Sequence, residues 1–379
     1  MRNYFVKNII LFSVLIVFSP NCAKVSTVQE SLTKIKTPED FHTRHIIQHK
    51  GLWLALSTPP DTGKLARIDL QTLDINQNVL PIPSDVQIFN DKGEYLFLLN
   101  RNHDDSLTLL KGANAEVVAT FAFIEKSNPQ AVSRDQLDRI WVTFYDKNFV
   151  QVLSADLKEE IKNIDLSKLR DDTNQALVDS DGFAELSSLT HYGDNKMAIL
   201  AQRLERTREG FRANSPSGLI YIDIFSFQTK LDLLDLLNPL AIYSDNKNLI
   251  IYGAGDQSGK ASPENQRGSK YKYTEGAVNP TIQQFDTVIL DVHKANYSDI
   301  SALITYQPAK NEYCIRFDNK NIYCETGDYV FNKIIRVDNA LFVSYTKNKS
   351  SELWVMTLDG KFVVKNTLDL PITAMSFGP

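Results

Sequence analysis

The sequence predicts an all-β chain, a single seven-bladed β-propeller of four-stranded antiparallel blades. Three observations predict it. Short alternating or apolar runs, separated by turn residues, fill most of the chain, and long amphipathic helices are few. One unit recurs: a short strand, a tight polar turn, then a strongly apolar strand. A second hairpin with an alternating pattern follows that unit.

The copies of the unit are HIIQHKGLWLAL (from His45), VQIFNDKGEYLFLL (from Val86), QAVSRDQLDRIWVTF (from Gln130), SLTHYGDNKMAILA (from Ser188), LAIYSDNKNLIIYG (from Leu240) and KIIRVDNALFVSY (from Lys333). Their turns centre near residues 50, 92, 136, 194, 246 and 338. The first spacings, about 42 and 44 residues, match the blade period of propellers. The next two are longer, and each holds a polar insertion. The last is about two periods, so a degenerate seventh copy is expected within Asp286–Tyr306.

The second hairpins turn at Gln71-Thr72, Gly112-Ala113, Ala155-Asp156, Ser226-Phe227 and Asp359-Gly360. Leu157–Leu169 reads either as a helix or as a strand ending in a loop. Four strands cannot bury both their faces, and a ring of blades does so while leaving only short edges. Proline cannot donate to a ladder, so Pro83, Pro129, Pro239, Pro280 and Pro371 are expected at seams between blades. The terminal LPITAMSFGP repeats the strand that opens a unit and is expected to close the ring on the first blade.

The start of the chain is different. Arg2 and Lys7 precede a ten-residue apolar run, Ile9–Phe18, and Cys22 follows Ser19-Pro20-Asn21. The run is far short of the roughly 20 residues that span a bilayer, and it suits a secretory signal. With Cys22 directly behind it, the segment resembles a bacterial lipoprotein signal, although Ser19 and Asn21 stand where Leu and a small residue are usual. The resemblance implies cleavage before Cys22, lipidation of Cys22 and residence in the bacterial cell envelope, anchored to the outer membrane. Ordinary secretion and an uncleaved anchor are the alternatives. Residues 1–22 are thus the signal, 23–40 a polar tether and 41–379 the propeller domain. No later apolar run approaches the roughly 18 residues of a membrane span.

The chain has 379 residues and a net charge of −5. This mild acidity argues against a nucleic-acid grip, which depends on massed Lys and Arg. Of three cysteines, Cys314 and Cys324 flank the turn-type Asp318-Asn319-Lys320-Asn321. Folding two strands across that turn sets the pair opposite each other, so a disulfide is expected in an oxidising compartment.

Ile68-Asp69-Leu70-Gln71-Thr72 and Ile222-Asp223-Ile224-Phe225-Ser226 resemble the "IDxxT" hairpin of YVTN-type propellers. Asp181-Gly182-Phe183-Ala184-Glu185, Gln202-Arg203-Leu204-Glu205-Arg206, Ile222-Asp223 and Asn238-Pro239 are similar, in order, to a group of uncharacterised propeller lipoproteins. Ala184 and Glu205 depart from that group's Pro and Asp. The resemblance implies an envelope propeller and no chemistry.

No nucleophile elbow, Walker loop, H-E-x-x-H or C-x-x-C is present. Gly253-Ala254-Gly255 lacks the third glycine of a dinucleotide fingerprint, since Ser258 stands there. Asp179, Asp181 and Glu185 form an acidic loop that either holds Ca²⁺ or is solvated; the EF-hand spacing is missing. Arg203 and Arg206 either offer donors to a carboxylate or phosphate, or pair with Asp181 and Glu185 and pin two loops. His42, His45 and His49 lack a further ligand nearby. Ser258–Glu275, basic and carrying Tyr271 and Tyr273, reads as a protruding loop that can bind phosphate or sugar.

No catalytic residue, metal or cofactor is assigned. The expected function is a monomeric, lipid-anchored binding or scaffold module for an envelope protein or glycan. The alternative is a periplasmic propeller enzyme, a lactonase-like hydrolase or dehydrogenase, with a Ca²⁺-dependent site in the central channel.

Overall fold

The computed structural model describes residues 51–378, apart from 59–62, 92–93, 102–103, 208–209, 214–215, 246–247, 256–266, 275–278, 295–299, 318, 328–329, 338 and 348–349. The signal, Cys22, the tether, His42, His45 and His49 therefore lie outside the described residues.

Seven four-stranded antiparallel sheets follow one another. The first blade takes three strands from the beginning of the described chain: β1 (Gly51–Leu56), β2 (Gly63–Asp69) and β3 (Ile75–Ile82). Blade 2 is β4 (Val86–Asn90), β5 (Tyr95–Asn100), β6 (Ser106–Lys111) and β7 (Glu116–Ala122). Blade 3 is β8 (Pro129–Arg134), β9 (Ile140–Phe144), β10 (Phe149–Leu153) and β11 (Glu160–Asp165). Blade 4 spans β12 (Leu186–Tyr192) and β13 (Lys196–Ala201), then an inserted hairpin of β14 (Leu204–Thr207) and β15 (Gly210–Ala213), then β16 (Ser217–Asp223) and β17 (Thr229–Leu234). Blade 5 is β18 (Pro239–Ser244), β19 (Asn248–Gly253), β20 (Ser269–Thr274) and β21 (Thr281–Gln284). Blade 6 is β22 (Val288–Lys294), β23 (Ser301–Gln307), β24 (Glu312–Phe317) and β25 (Lys320–Thr326). Blade 7 is β26 (Val330–Val337), β27 (Ala340–Lys347), β28 (Ser350–Thr357) and β29 (Phe362–Leu368). The last strand, β30 (Ile372–Gly378), pairs with β1 and supplies the innermost strand of blade 1.

The innermost strands touch in the order β4, β8, β12, β18, β22, β26, β30 and back to β4, so the ring is closed. The degenerate copy expected within Asp286–Tyr306 is the β22–β23 hairpin. Leu157–Leu169 resolves as strand β11 followed by a loop. Two expectations are corrected. Both edges of β1 are taken, by β2 and β30, so the first unit draws its inner strand from the C-terminal end and not from HIIQH. Pro280 sits inside blade 5, directly before the outermost strand β21; the other four prolines mark seams.

Burial explains the pattern. The second strand of each blade is covered on both faces by neighbouring blades, so β1 (GLWLAL) and β9 (IWVTF) are buried along their whole length. The outermost strands face water, and β11 (EIKNID) buries only Ile164. Seven apolar clusters fill the seven seams between blades. One joins Leu52 and Leu54 of blade 1 to Phe342 and Leu353 of blade 7 and secures the closure. Charged staples supplement them: Arg134 of blade 3 binds Asp91 of blade 2 at 2.5 Å, with both side chains largely buried.

Hairpin topology divides the loops between two faces. The upper face carries the blade-to-blade connections and the links between second and third strands. The lower face carries the remaining turns. Gly51 pairs with Gly378, so β1 begins and β30 ends on the lower face.

Candidate functional site

The long insertions collect on the upper face of blades 3–5. They are the connection 166–185 and the β14–β15 hairpin; the link from β19 to β20, of which 256–266 lie outside the described residues, leaves and enters its strands on the same face. The first two meet at the residues that the sequence singles out.

Blade geometry places the charges there. In blades 3 and 5 the residue before the innermost strand is Asn128 or Asn238, in the left-handed region at φ 50° and 51°. Asparagine tolerates that region through its short polar side chain. Blade 4 has Glu185 at the same position, at φ 47°. Just past the second strand, blade 5 has Gly255 at φ 81° and blade 4 has Arg203 at φ 52°. Equivalent backbone bonds define these positions: Arg203 N–H to Ala184 O at 3.2 Å, and Gly255 N–H to Leu237 O at 3.4 Å. Two buried charged residues thus occupy strained backbone that other blades give to Asn and Gly.

Their partners are internal. Glu185, with no exposed surface, accepts from Leu204 N–H at 3.1 Å and from Arg206 Nε at 3.1 Å. Arg206 also pairs with Asp146 of blade 3 at 2.7 Å, and its backbone N–H donates to Asp181 at 3.0 Å. The guanidinium lies 3.8 Å from the centroid of Phe183 and within 6 Å of Tyr145 and Phe211, so aromatic faces complete its shell. Arg203 takes a different role from the expected pairing. It donates to the carbonyls of Leu177 and Pro216 at 2.9 and 2.5 Å, tying the long connection to the base of the hairpin. Asn148 adds a third tie, donating to Gly182 O and accepting from Ala184 N–H.

Burial raises the Glu185 carboxyl to about 7, with the Asp181 charge adding and the Arg206 hydrogen bond opposing. Burial, with a hydrogen bond shared with Asp181, raises Asp179 to about 6. Burial and the Glu185 charge push the Tyr145 hydroxyl up as well. The carboxylates are thus committed to Arg206 and backbone amides.

The remaining expected residues are placed as follows. Cys314 and Cys324 are opposed on β24 and β25 and form a disulfide. That bond uses both sulfurs of the cluster Glu312, Cys314 and Cys324, the one grouping among the described residues with metal-ligand proximity. Tyr271 and Tyr273 do not stand on a protruding loop. They lie in β20, where SKYKYT puts both rings on one face, and Tyr271 is buried against Leu234 and Ile242 with its hydroxyl donated to Asp235 O. The alternation of Tyr and Lys was the available sign of a strand.

Two titratable residues on the innermost strand of blade 6 carry no signal in the sequence. A bulge at Leu290 turns Asp291 of β22 toward β26, where it accepts from Ile334 N–H at 2.8 Å and lies 3.6 Å from Lys333 Nζ. Burial raises its carboxyl and Lys333 opposes this. His293, two residues on, accepts from Arg336 N–H at 3.2 Å; burial and the Arg336 charge lower it to about 4, so it is neutral.

No family model matches the chain, and no curated protein matches it in sequence. Solved structures do match in fold. A quinonprotein alcohol dehydrogenase-like protein from Bacteroides thetaiotaomicron superposes with a TM-score of 0.56 at 11% identity, covering 87% of this chain and 78% of that one. A putative 6-phosphogluconolactonase from Bacteroides uniformis gives 0.57 at 9% identity, covering 87% and 99%. AztD from Citrobacter koseri gives 0.53 at 11% identity, covering 87% and 98%. At such identities the likeness shows the fold alone. The chain is a seven-bladed β-propeller, similar in fold to bacterial propeller proteins. Among the described residues, no helix is long and apolar enough to cross a membrane.

Proposed function

We propose that this chain is a binding module of the bacterial cell envelope, carried on a membrane by lipid at Cys22, that engages a protein or glycan partner through the upper face of blades 3–5. One observation carries the reading. The insertions collect on the face opposite the one where β1 begins, so a chain tethered through its N-terminal side turns its elaborated face away from the tether. The internally satisfied Arg203, Arg206 and Glu185 cluster suits a rigid platform, and it holds up a hairpin whose Phe211 is 52% exposed. The test is photocrosslinking in intact envelopes from Phe211 on the upper face and from Phe225, 60% exposed on a lower turn. Adducts from 211 and none from 225 support the reading. Adducts from 225 alone, or from neither, contradict it.

A second reading is a propeller enzyme, for which Asp291, on the innermost strand of blade 6 and bound to Ile334 N–H and Lys333, is the candidate carboxyl. The names of two fold neighbours, a dehydrogenase-like protein and a putative lactonase, are consistent with it. Stoichiometric, tightly held Ca²⁺ in the purified protein would favour this reading over the first.

A further inference from the structure

A separate cleft opens at the seam between blades 6 and 7. It has a volume of about 420 Å³, within the range of small-ligand pockets. Strand alternation builds it. Tyr323 and Glu325 share one face of β25, Tyr345 and Lys347 share one face of β27, and Ser350, Glu352 and Trp354 share one face of β28; Lys365 of β29 completes the wall. Deeper in, this seam is apolar, with Phe331, Ile334, Val343 and Met356 filling it. The cleft replaces that filling with a charged rim around the half-buried Tyr323, above the buried edges of Tyr345 and Trp354.

The rim is held in place from below. Trp354 Nε1 donates to Glu352 at 2.7 Å, and the Tyr323 hydroxyl to Glu325 at 3.4 Å. Lys365 Nζ sits 4.2 Å from the Trp354 ring centroid and 3.8 Å from that of Phe362. Tyr345 stacks on Trp354 at 4.1 Å. Cys324, between Tyr323 and Glu325, is bonded to Cys314, so the wall strand is clamped to its neighbour.

Two carboxylates and two ammoniums make the rim neutral in sum, so neither a phosphate-rich anion nor a bare cation matches it. Carboxylates accept from hydroxyls, ammoniums donate to hydroxyl and ether oxygens, and the half-buried Tyr323 between them offers carbon surface to a sugar ring. We infer that this cleft is a saccharide-binding site, taking a neutral sugar of one to a few residues. The inference goes beyond the binding reading above and uses a different part of the ring.

The test is titration of the purified full chain with neutral hexoses, N-acetylhexosamines and their short oligomers, followed by tryptophan fluorescence and calorimetry. Of the three tryptophans, Trp354 alone lines the cleft, while Trp53 and Trp141 lie in blades 1 and 3, so a fluorescence response reports on Trp354. At least one saccharide is expected to bind saturably, and Glu352→Gln and Lys347→Met to weaken it about tenfold each, as losing a charged hydrogen bond does. Hydrogen exchange on the unmodified chain gives a readout that no variant can spoil by misfolding: the sugar should protect 323–325 and 345–354. Binding by no saccharide overturns the inference. So does undiminished binding by the variants, protection elsewhere on the ring, or occupation of the cleft by glycine or dialanine in place of sugar. Crosslinking from Phe211 with no saccharide binding would sink this inference and leave the upper-face reading standing.

Discussion

At Arg206 one guanidinium meets the carboxylates of Glu185, Asp146 and Asp181 and the rings of Phe183, Tyr145 and Phe211. Removing it leaves Glu185 buried without its cation. Arg206→Ala is therefore expected to lower stability by about 3 kcal/mol at pH 8, measured by urea unfolding, while Phe211→Ser, which removes one half-exposed ring of its shell, costs about 1 kcal/mol. The loss should shrink on acidification, because Glu185 sheds its charge near pH 7. Glu185 has its own pH signature. Its folded pKa, about 7, stands above the ordinary 4.5, so its contribution is complete below about pH 4.5 and is lost as pH rises through 7. Glu185→Gln should flatten stability across that window. His293 works in the other sense. Its folded pKa, about 4, lies below the ordinary 6.5, so its contribution is present above pH 6.5 and is lost as pH falls through 4. His293→Gln should reduce acid sensitivity between those values, read from melting temperatures across pH 4–7.

Among the elements, the hairpin turns were the most legible in sequence, because their cause is local. Asp69 accepts from the backbone N–H groups of Gln71 and Thr72 at 2.7 and 3.1 Å, and Asp223 from those of Phe225 and Ser226 at 3.0 and 2.7 Å. Both turns then place a residue in the left-handed region, Leu73 at φ 64° and Phe227 at φ 58°. The shared "ID" signature is thus an Asx-turn repeated at equivalent places. Asp69→Ala and Asp223→Ala should each cost about 1 kcal/mol in chemical unfolding. The Cys314–Cys324 bridge was legible for the same reason, since a short turn sets its register. By the loop-entropy argument, Cys324→Ser should cost about 3 kcal/mol. Positions set by contacts between blades were not legible. Nothing in the run DTVILDVHK marks Asp291 as turned toward Lys333, because a bulge and a strand 40 residues later decide it. The partners of Arg203 are carbonyls, which leave no trace in side-chain chemistry. The basic stretch before Tyr271 and Tyr273 masks the onset of β20 in the sequence.

For the molecule as a whole, the ring depends on its last strand. β30 fills the inner edge of β1 and touches both β4 and β26, so a chain ending at Leu370 should expose a blade edge and fail to unfold cooperatively, as followed by circular dichroism. The same closure sets the entry to β1 on the lower face and leaves the elaborated upper face of blades 3–5 on the other side. That asymmetry serves a tethered binding module only if the tether exists. Intact-mass analysis of the protein from its native membrane fraction tests this most directly. The account predicts a mature chain beginning at Cys22 that carries a diacyl or triacyl increment, with Cys314 and Cys324 bridged until reductant is added. An unlipidated chain recovered from the soluble fraction would contradict it.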